Sequence, residues 1–429
     1  MRVIAKLAEI FNAIIKIGYV PESWKTEEVI VIPKRNKPME KVDSYRPISL
    51  LSMVSKLFER AYLKRRLPIL EERKIISNHQ FGFRASHSTI EQAHRVVSLT
   101  ERTLKNKEVC SMIFLDISAA FDKVLHLGLL YKIRIFSPFN HYKLIKSYLE
   151  NRKFRVRFNN CYSTYRRIKA GVPQGSCLGP YLYNIFTSDI SKPKRGFIGT
   201  FADDTALAEK DKDIFISNHR LQKAIDEMVE RVSDNGATLN AGKSAHTVFT
   251  NRKIPPLPVL IEDEQVPYVT SARYLGVYLD FRLTFKDHIR IKVKELNKMY
   301  KKMYWLLGKR SKLSKKNKIL LYNQILKPIW QYASQLWGCA SKSNINEVER
   351  FQSKVLREII GVPWFVMNEI RRELEVPTVR QVIAETTKRY ECRIEKHINV
   401  EALNLLDSTI LVKRLKRWET FELPLRFTL

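Results

Sequence analysis

The sequence lacks a long apolar run. No stretch of 18 or more uncharged apolar residues occurs, so no segment is expected to cross a bilayer as a helix. Cysteine is scarce and scattered. The five cysteines, Cys110, Cys161, Cys177, Cys339 and Cys392, form no CxxC pair and no Cys/His spacing. That pattern excludes a zinc knuckle and a disulfide framework, and it is what free thiols in a reducing compartment look like. Acids are few. Asp and Glu number 44 against 76 Lys and Arg, a formal net charge of +32. The excess goes beyond what solubility requires and points to a polyanion, nucleic acid first and an anionic membrane surface as the competitor. No internal repeat and no low-complexity tract is present. No small-residue cleavage site follows the apolar N-terminus MRVIAKLAEIFNAIIKIGYV, and Lys6 and Lys16 interrupt it. An amphipathic structural helix is expected there, in place of a signal or transit peptide.

What is present is a globular composition. Hydrophobic residues make up 45% of 429 positions, enough for two or three packed subdomains. The apolar spacing predicts helices over 2–17, 49–70, 88–105 and 213–232. VIVIP (29–33) reads as a short strand and 37–47 as a loop. CSMIFLDISAAFD (110–122) opens as a buried strand ending in an acid, and helical segments follow to about residue 151. FRVRF (154–158) alternates strictly, and Asn159-Asn160 suits a hairpin turn. LGPYLYNIFTSDI reads as a helix. GFIGTFADDTALAE (196–209) reads as strand, tight turn, strand. RYLGVYLD (273–280) reads as one strand.

From Lys286 the spacing of Ile289, Val293, Leu296, Met299, Met303 and Leu307 is helical. Between Lys286 and Lys318 stand 13 Lys/Arg against 2 acids. A solvated helix face explains a modest surplus; the near absence of compensating acids favours phosphate contact. Strands alternating with helices, with acids at strand ends, indicate an α/β or α+β core followed by an all-helical C-terminal portion.

The acids carry the chemistry. Asp116 ends an apolar strand, and Asp203-Asp204 occupy a turn. Two carboxylates about 5 Å apart at an effective dielectric of about 20 repel by roughly 3 kcal/mol. A hairpin beside a central strand brings all three acids to one sheet edge, where a hard cation is needed between them. Mg²⁺ suits oxygen ligands and keeps positions for substrate phosphates. Two such ions about 4 Å apart clamp the attacking and leaving oxygens of an in-line phosphoryl transfer. An isolated Asp-Asp pair is more often a surface turn, so the neighbouring blocks matter.

FLDISAAFD, AGVPQGSCLGP, TFADD, LNAGKSAHTVF and YLGVYLD occur in this order. Upstream lie SYRPISLLSMVSKLFER and NHQFGFRASHSTIEQ. These blocks resemble, in order and approximate spacing, those of the reverse transcriptases of non-LTR retrotransposons. The wording is closest to the jockey-like mobile elements of arthropods. The resemblance runs from about residue 10 to 380.

The resemblance implies an α+β right-hand polymerase fold. Residues 1–26 would be an N-terminal helical extension, 27–110 fingers, 111–283 a palm with antiparallel sheet and inserted finger elements, 284–345 a helical thumb, and 346–429 a helical C-terminal region of unknown role. It implies that Asp116, Asp203 and Asp204 ligate two Mg²⁺ ions, with Mn²⁺ able to substitute and the Ile117 carbonyl as a backbone ligand. Asp122 is expected to make a structural hydrogen bond. Phe121 matches the steric gate that excludes a 2′-hydroxyl. Gln174 would lie against the incoming nucleotide, and Gly171 and Gly175 permit close backbone approach. Lys243 matches a proton donor to pyrophosphate; a solvated surface lysine is the alternative.

Arg84, Lys56 and Arg60 are expected triphosphate or template contacts, and Arg46 either joins them or holds the finger loop. Phe201 and the turn Tyr274, Leu275, Gly276 are expected primer contacts. Leu125 stands where close relatives often have Trp.

The activity implied is RNA-directed DNA synthesis from a primer 3′-hydroxyl. The partners implied are an RNA template, a DNA primer or target, and deoxynucleoside triphosphates, with no membrane. Endonuclease activity would come from another domain or protein, and the location would be nuclear with a cytoplasmic ribonucleoprotein stage. A truncated, catalytically silent nucleic-acid-binding remnant is the alternative. A metal-dependent nuclease is weaker, because it has no use for Phe121, Gln174 and a thumb. KRLKRW (413–418) reads as a charged helix face, an import signal or an RNA contact.

Overall fold

The computed structural model describes residues 2–34, 38–118, 120–189, 196–253, 255, 257–362 and 374–406. Residues 413–418 lie outside them. Helix α1 (Arg2–Ile17) precedes β1 (Thr26–Pro33), β2 (Tyr45–Leu50), α2 (Met53–Glu72), α3 (Thr89–Lys105) and β3 (Val109–Leu115). Next come α4 (His126–Phe136), α5 (Phe139–Leu149), β4 (Lys153–Phe158), β5 (Cys161–Tyr162), β6 (Arg166–Arg167) and α6 (Gly179–Phe186). The strands β7 (Phe197–Phe201) and β8 (Asp204–Asp211) precede α7 (Ile214–Asp234) and β9 (Ala245–Phe249). Two small hairpins follow, β10 (Leu260–Ile261) with β11 (Glu264–Gln265), and β12 (Ser271–Tyr274) with β13 (Val277–Asp280).

Helices then take over: α8 (Lys286–Leu307), α9 (Lys315–Leu321), a π-helical turn Tyr322–Leu326, α10 (Lys327–Gln331), α11 (Ser334–Trp337), α12 (Lys342–Ile360), α13 (Val379–Ile394) and α14 (Val400–Leu403).

A four-stranded antiparallel sheet, β7-β8-β3-β9, positions the acids. Every residue of β3 is buried, Ser111 among its apolar neighbours included, as suits an inner strand. Alternate side chains serve different cores. Cys110, Met112 and Phe114 join a cluster with α3, β12, β13 and the C-terminal helices. Ile113 and Leu115 face Leu221, Ile225, Met228 and Val232 of α7. Each such side chain, fully buried, contributes roughly 1.5–3 kcal/mol. Helix α7 starts where Asp213 accepts from the Phe215 N–H at 2.8 Å.

A second sheet, β2-β1-β4-β5, lies upstream, with β6 on β4. Its register departs from the sequence reading. The end of the expected 37–47 loop is strand β2, paired antiparallel to β1, and the helix expected from 49 begins at Met53. Strand β4 forms the expected hairpin with β5, its turn residues Asn159 and Asn160 at φ 44° and 64°. It also pairs in parallel with β1. There Arg152 is buried and ion-paired to buried Glu27 at 3.2 Å, over a sequence separation of 125. RYLGVYLD is likewise two strands, not one, because Leu275 and Gly276 both take positive φ and reverse the chain.

Candidate active site

The antiparallel register brings the acids together. The last β3–β8 pair is Leu115–Thr205, so Asp116 and Asp204 stand opposite one another one step further on. On the other side, Lys243 precedes β9 and places its Nζ 3.7 Å from Asp116 Oδ2, both side chains about half exposed. The segment before β9 is latched to Asp116. The Asn240 N–H donates to the Asp116 carbonyl at 2.9 Å, and the Asp116 N–H donates to Ser244 Oγ at 3.1 Å. Ile117 pairs with Leu239 through bonds made by its neighbours. Its own carbonyl is therefore directed away from Leu239, to the side that carries Asp204.

Asp203 and Asp204 present a raised proton affinity. Partial burial pushes both above the usual carboxylate range, and neighbouring carboxylates add to it. For Asp204, pushed up to about 6, desolvation leads, followed by Asp203 and Asp116, with Arg273 opposing. For Asp203 the opposing charge is Arg46. Both carboxylates are nonetheless open to solvent at the protein surface, where water screens their repulsion. Among the described residues, no set of three or more His, Cys, Asp and Glu side chains closes around a metal by itself. A magnesium-like cation does not need such a cage. It keeps waters, takes one or two carboxylates and completes its shell on substrate phosphates. Mutually repelling Asp116 and Asp204, with Asp203 beside them and the Ile117 carbonyl aimed to that side, are a donor set of that kind.

The turn that carries the acids is strained. Phe201 pairs with Asp204, leaving Ala202-Asp203 as a two-residue turn, and Ala202 sits at φ 58°. Glycine favours that region; a side chain there costs about 1–2 kcal/mol. Gln80 holds the turn in place. Its Oε1 accepts from the Ala202 N–H at 2.9 Å and the Gly82 N–H at 2.8 Å, and its Nε2 donates to the Ala202 carbonyl at 3.2 Å. Gly82 lies so close that a Cβ there would fall 2.1 Å from the Ala202 nitrogen. The QFGFR block is visible in the sequence, but attention falls on its arginine; nothing local marks the glutamine as a clamp.

Other expected site residues are distributed unevenly. Phe121 is part-buried, stacked on Tyr183 at 4.7 Å and edge-on to Phe83 at 5.7 Å. The Tyr183 hydroxyl has its pKa raised by burial and then by the charges of Asp203 and Asp204, so this aromatic group lies beside the acids. Asp122 makes the hydrogen bond expected of it, accepting from Gln174 Nε2 at 3.0 Å. Gly175, at φ 126°, approaches the Ser49 carbonyl so closely that a Cβ would lie 2.6 Å away. The Gly171 and Gly175 approaches are thus within the protein, Gly171 to the Asp122 backbone and Gly175 to strand β2.

Lys56 is part-buried and Arg60 exposed, both on α2. Between them buried Glu59 accepts from the Cys177 and Leu178 N–H groups at 2.7 and 3.1 Å. It anchors the loop after GVPQGS, and the sequence reading missed it.

Two expectations are corrected. Arg84 is turned inward. It is paired with Glu71 and donates to the Ser77 and Gln80 carbonyls at 3.1 and 3.2 Å, so its guanidinium is spent within the protein. Tyr274 is buried, not presented to a primer. Its hydroxyl accepts from Gln92 Nε2 at 3.0 Å and bonds the Gly199 carbonyl at 3.4 Å. Leu275 and Gly276 do form a turn at its end. Phe201 is part-buried, packed against a cluster of Phe81, Tyr390, Ile394 and Ala402.

The basic stretch 286–318 divides into two sets. Arg290, Lys294, Lys298, Lys301 and Trp305 of α8 are exposed at helical spacing. Lys318 is instead buried, with its Nζ donating to the Gly308 carbonyl at 2.9 Å. No described helix is long and apolar enough to cross a membrane.

A family profile described as "Reverse transcriptase (RNA-dependent DNA polymerase)" matches residues 32–279. The chain is 42% identical over 407 residues to a "Probable RNA-directed DNA polymerase from transposon X-element" of Drosophila melanogaster. That match covers 92% of this chain and 44% of the relative. It is 38% identical over 435 residues to the "RNA-directed DNA polymerase from mobile element jockey" of the same fly, covering 97% and 48%. The chain thus spans about half the length of the curated relatives it matches. A telomerase from Candida Tropicalis solved with a fragment of telomeric RNA superposes with a TM-score of 0.45 at 12% identity, covering 95% of this chain and 68% of that one.

Proposed function

The chain belongs to the reverse transcriptase family, and from that premise we propose that it is the RNA-directed DNA polymerase of a jockey-like non-LTR retrotransposon. The observation that carries the proposal is the placement of Asp116 opposite Asp204 across β3 and β8, with Asp203 in the adjoining turn.

Reverse transcriptases depend on divalent metal, here Mg²⁺ with Mn²⁺ as a substitute. When bound, a pair of such ions supplies the positive charge that activates a primer hydroxyl and offsets the charge on departing pyrophosphate. Asp116, Asp203, Asp204 and the Ile117 carbonyl would hold them. The protein's own groups do the rest. Lys243, beside Asp116, carries a proton that it can give to pyrophosphate. Phe121, braced by Tyr183 and Phe83, walls the nucleotide site where a 2′-hydroxyl would sit. Gln174 and Gly175 border the same space. Lys56 and Arg60, with Arg46 if it does not instead hold the finger loop, are the named finger cations that remain for the triphosphate or template once Arg84 is set aside. Phe201 and the Leu275-Gly276 turn support the primer. The stripe from Arg290 to Trp305 tracks a nucleic-acid backbone without reading sequence.

In domain terms, residues 27–110 serve as fingers, 111–283 as palm and 284–345 as thumb. The substrates are an RNA template, a DNA primer or target and deoxynucleoside triphosphates. A nick at the target is supplied by an endonuclease activity on another domain or protein. Work takes place in the nucleus after a cytoplasmic ribonucleoprotein stage.

The test is primer extension on an RNA template with Mg²⁺ or Mn²⁺, run with deoxy- and ribonucleotides in parallel. The expected result is DNA synthesis that Asp203→Asn abolishes while RNA is still retained. Binding without extension in both metals would mean a silent nucleic-acid-binding remnant. Phe121→Val should raise ribonucleotide incorporation; unchanged discrimination would remove Phe121 from the gate.

A further inference from the structure

Residues 385–429 carry no recognised motif, and helices α13 and α14 lie outside the span 32–279 that the family profile matches. Helices α13 and α14 return to the loop 77–88 and to α3. Tyr390, Ile394 and Ala402 bury Phe81, with Phe201 against the same cluster. The polar contacts are specific. Asn399 Nδ2 donates to the Asn78 carbonyl at 2.9 Å, and His397 Nε2 lies 3.0 Å from the Ser86 carbonyl. Arg393 lies 2.7 Å from Glu91. Glu401 Oε2 accepts from Arg95 Nη2 at 2.6 Å and lies 3.6 Å from His79 Nδ1.

Arg95 is buried and central to this group. Its guanidinium lies over the rings of Phe81 and Phe197 at 5.2 and 5.0 Å and donates to Gln92 Oε1 at 2.9 Å. Glu401 is the carboxylate that answers its charge. Removing one partner of such a pair leaves a buried charge uncompensated.

This group leads directly to the acid-bearing turn. The Thr200 N–H donates to the His79 carbonyl at 3.0 Å, and the Phe81 N–H to the Thr200 carbonyl at 2.9 Å. Gln80, between His79 and Phe81, grips both polar groups of Ala202. Asn184 closes the far side by donating to the Gly82 carbonyl at 2.9 Å.

We propose that residues 379–406 brace the catalytic turn. Glu401 fixes residues 78–82 through Arg95 and His79, and Gln80 then holds Ala202 in its left-handed conformation so that Asp203 and Asp204 stay aligned with Asp116. Gln80 and Glu401 are positioning residues: neither is placed to touch substrate. The role assigned to the turn rests on the polymerase reading above; the physical linkage does not.

The test uses the full chain and the variants Gln80→Met and Glu401→Gln. The first readout is hydrogen exchange of peptides covering 78–82 and 199–204, which needs no activity. Both variants should exchange faster there, while β3 and β9 keep wild-type protection. The second readout is steady-state extension of an oligo(dT) primer on poly(rA) with dTTP. A small displacement of a reacting group is enough to cost on the order of tenfold or more, so Gln80→Met should lose about tenfold in kcat and Glu401→Gln about threefold or more. KM for dTTP should move by less than about twofold. The double variant should be little worse than Gln80→Met alone, because both act on one turn.

Adding Ala202→Gly to Gln80→Met should restore part of kcat, since glycine takes that conformation unaided. Wild-type exchange over 78–82 and 199–204 in Glu401→Gln overturns the brace even if the wild type is active. Multiplicative losses in the double variant, or losses confined to KM, also overturn it, as does absence of recovery with glycine. An inactive wild type with both metals overturns the polymerase reading, while the exchange result still decides the linkage.

Discussion

Ala202 at φ 58° and Leu275 at φ 46° are both non-glycine residues in the left-handed region, each at the first central position of a two-residue hairpin turn. Their surroundings differ. Leu275 is followed by Gly276 at φ 81°, so the second position of that turn is filled by the residue that adopts it most easily. Among the described residues one side chain hydrogen-bonds its backbone, the Tyr332 hydroxyl donating to the Leu275 carbonyl at 2.7 Å. Ala202 is followed by Asp203 and then Asp204, and Gln80 satisfies both of its backbone polar groups. A turn that presents only its backbone can rely on its own residues. A turn that must offer two carboxylates gives up glycine and borrows its restraint from a distant segment. Strain of this kind persists only where surroundings over-determine it.

The contrast can be broken at either turn. The largest effect belongs to the acids. Asp204→Asn should lower the single-turnover extension rate on the order of a thousandfold, whereas Leu275→Gly, which keeps the backbone turn proposed to support the primer, should change it less than about threefold. Comparable losses from both would make the two turns equivalent. A smaller effect is expected at the hydrogen bond from Tyr332 to the second turn. Tyr332→Phe should cost about 1 kcal/mol in urea denaturation with the extension rate unchanged; a rate loss without destabilisation would mean that this hydrogen bond itself positions the primer-supporting turn.

The smallest effect concerns pH. Asp204 is pushed up to about 6 in the folded chain from an ordinary 3.8. The folded state therefore holds its proton more tightly than the unfolded state, and stability falls as pH rises from about 4 through about 6. In metal-free protein Asp204→Asn removes that cost. Its melting temperature should exceed the wild type's by about 1–3 °C at pH 7.5, with the gain fading as pH falls through 6 toward 4. A gain that is the same at pH 4 and pH 7.5 would mean that charge repulsion is not the source. Divalent metal should narrow the difference by stabilising the wild type more than the variant.

What was legible from sequence follows the range of the forces involved. The buried strand Val109–Leu115, the hairpin carrying Asp203-Asp204 and the helices α1, α3, α7 and α8 are written in local periodicity, and they lie where that periodicity puts them. The parallel pairing of β1 with β4 is not, because the matching residues lie far apart in the chain and neither strand marks its partner. Strand β2 was lost to a polar, proline-containing stretch, YRPISL. Arg84 and Tyr274 looked like ligand contacts because charge and aromaticity do not state which way a side chain turns. Gln80 and Glu59 escaped notice for the converse reason: a buried polar group holding backbone N–H groups looks, in sequence, like a surface residue.

The pairing of β1 with β4 also sets an order of events during synthesis. Glu27 leaves the ribosome 125 residues before the arginine that neutralises it. At about 5–20 residues per second, the wait is roughly 6–25 s. Through that interval β2 can shield one edge of β1, but the other edge and its acid stand open. The nascent chain is then most exposed to mispairing with a neighbouring polypeptide, and a ribosome stalled before residue 157 would release a product with that edge uncovered for good.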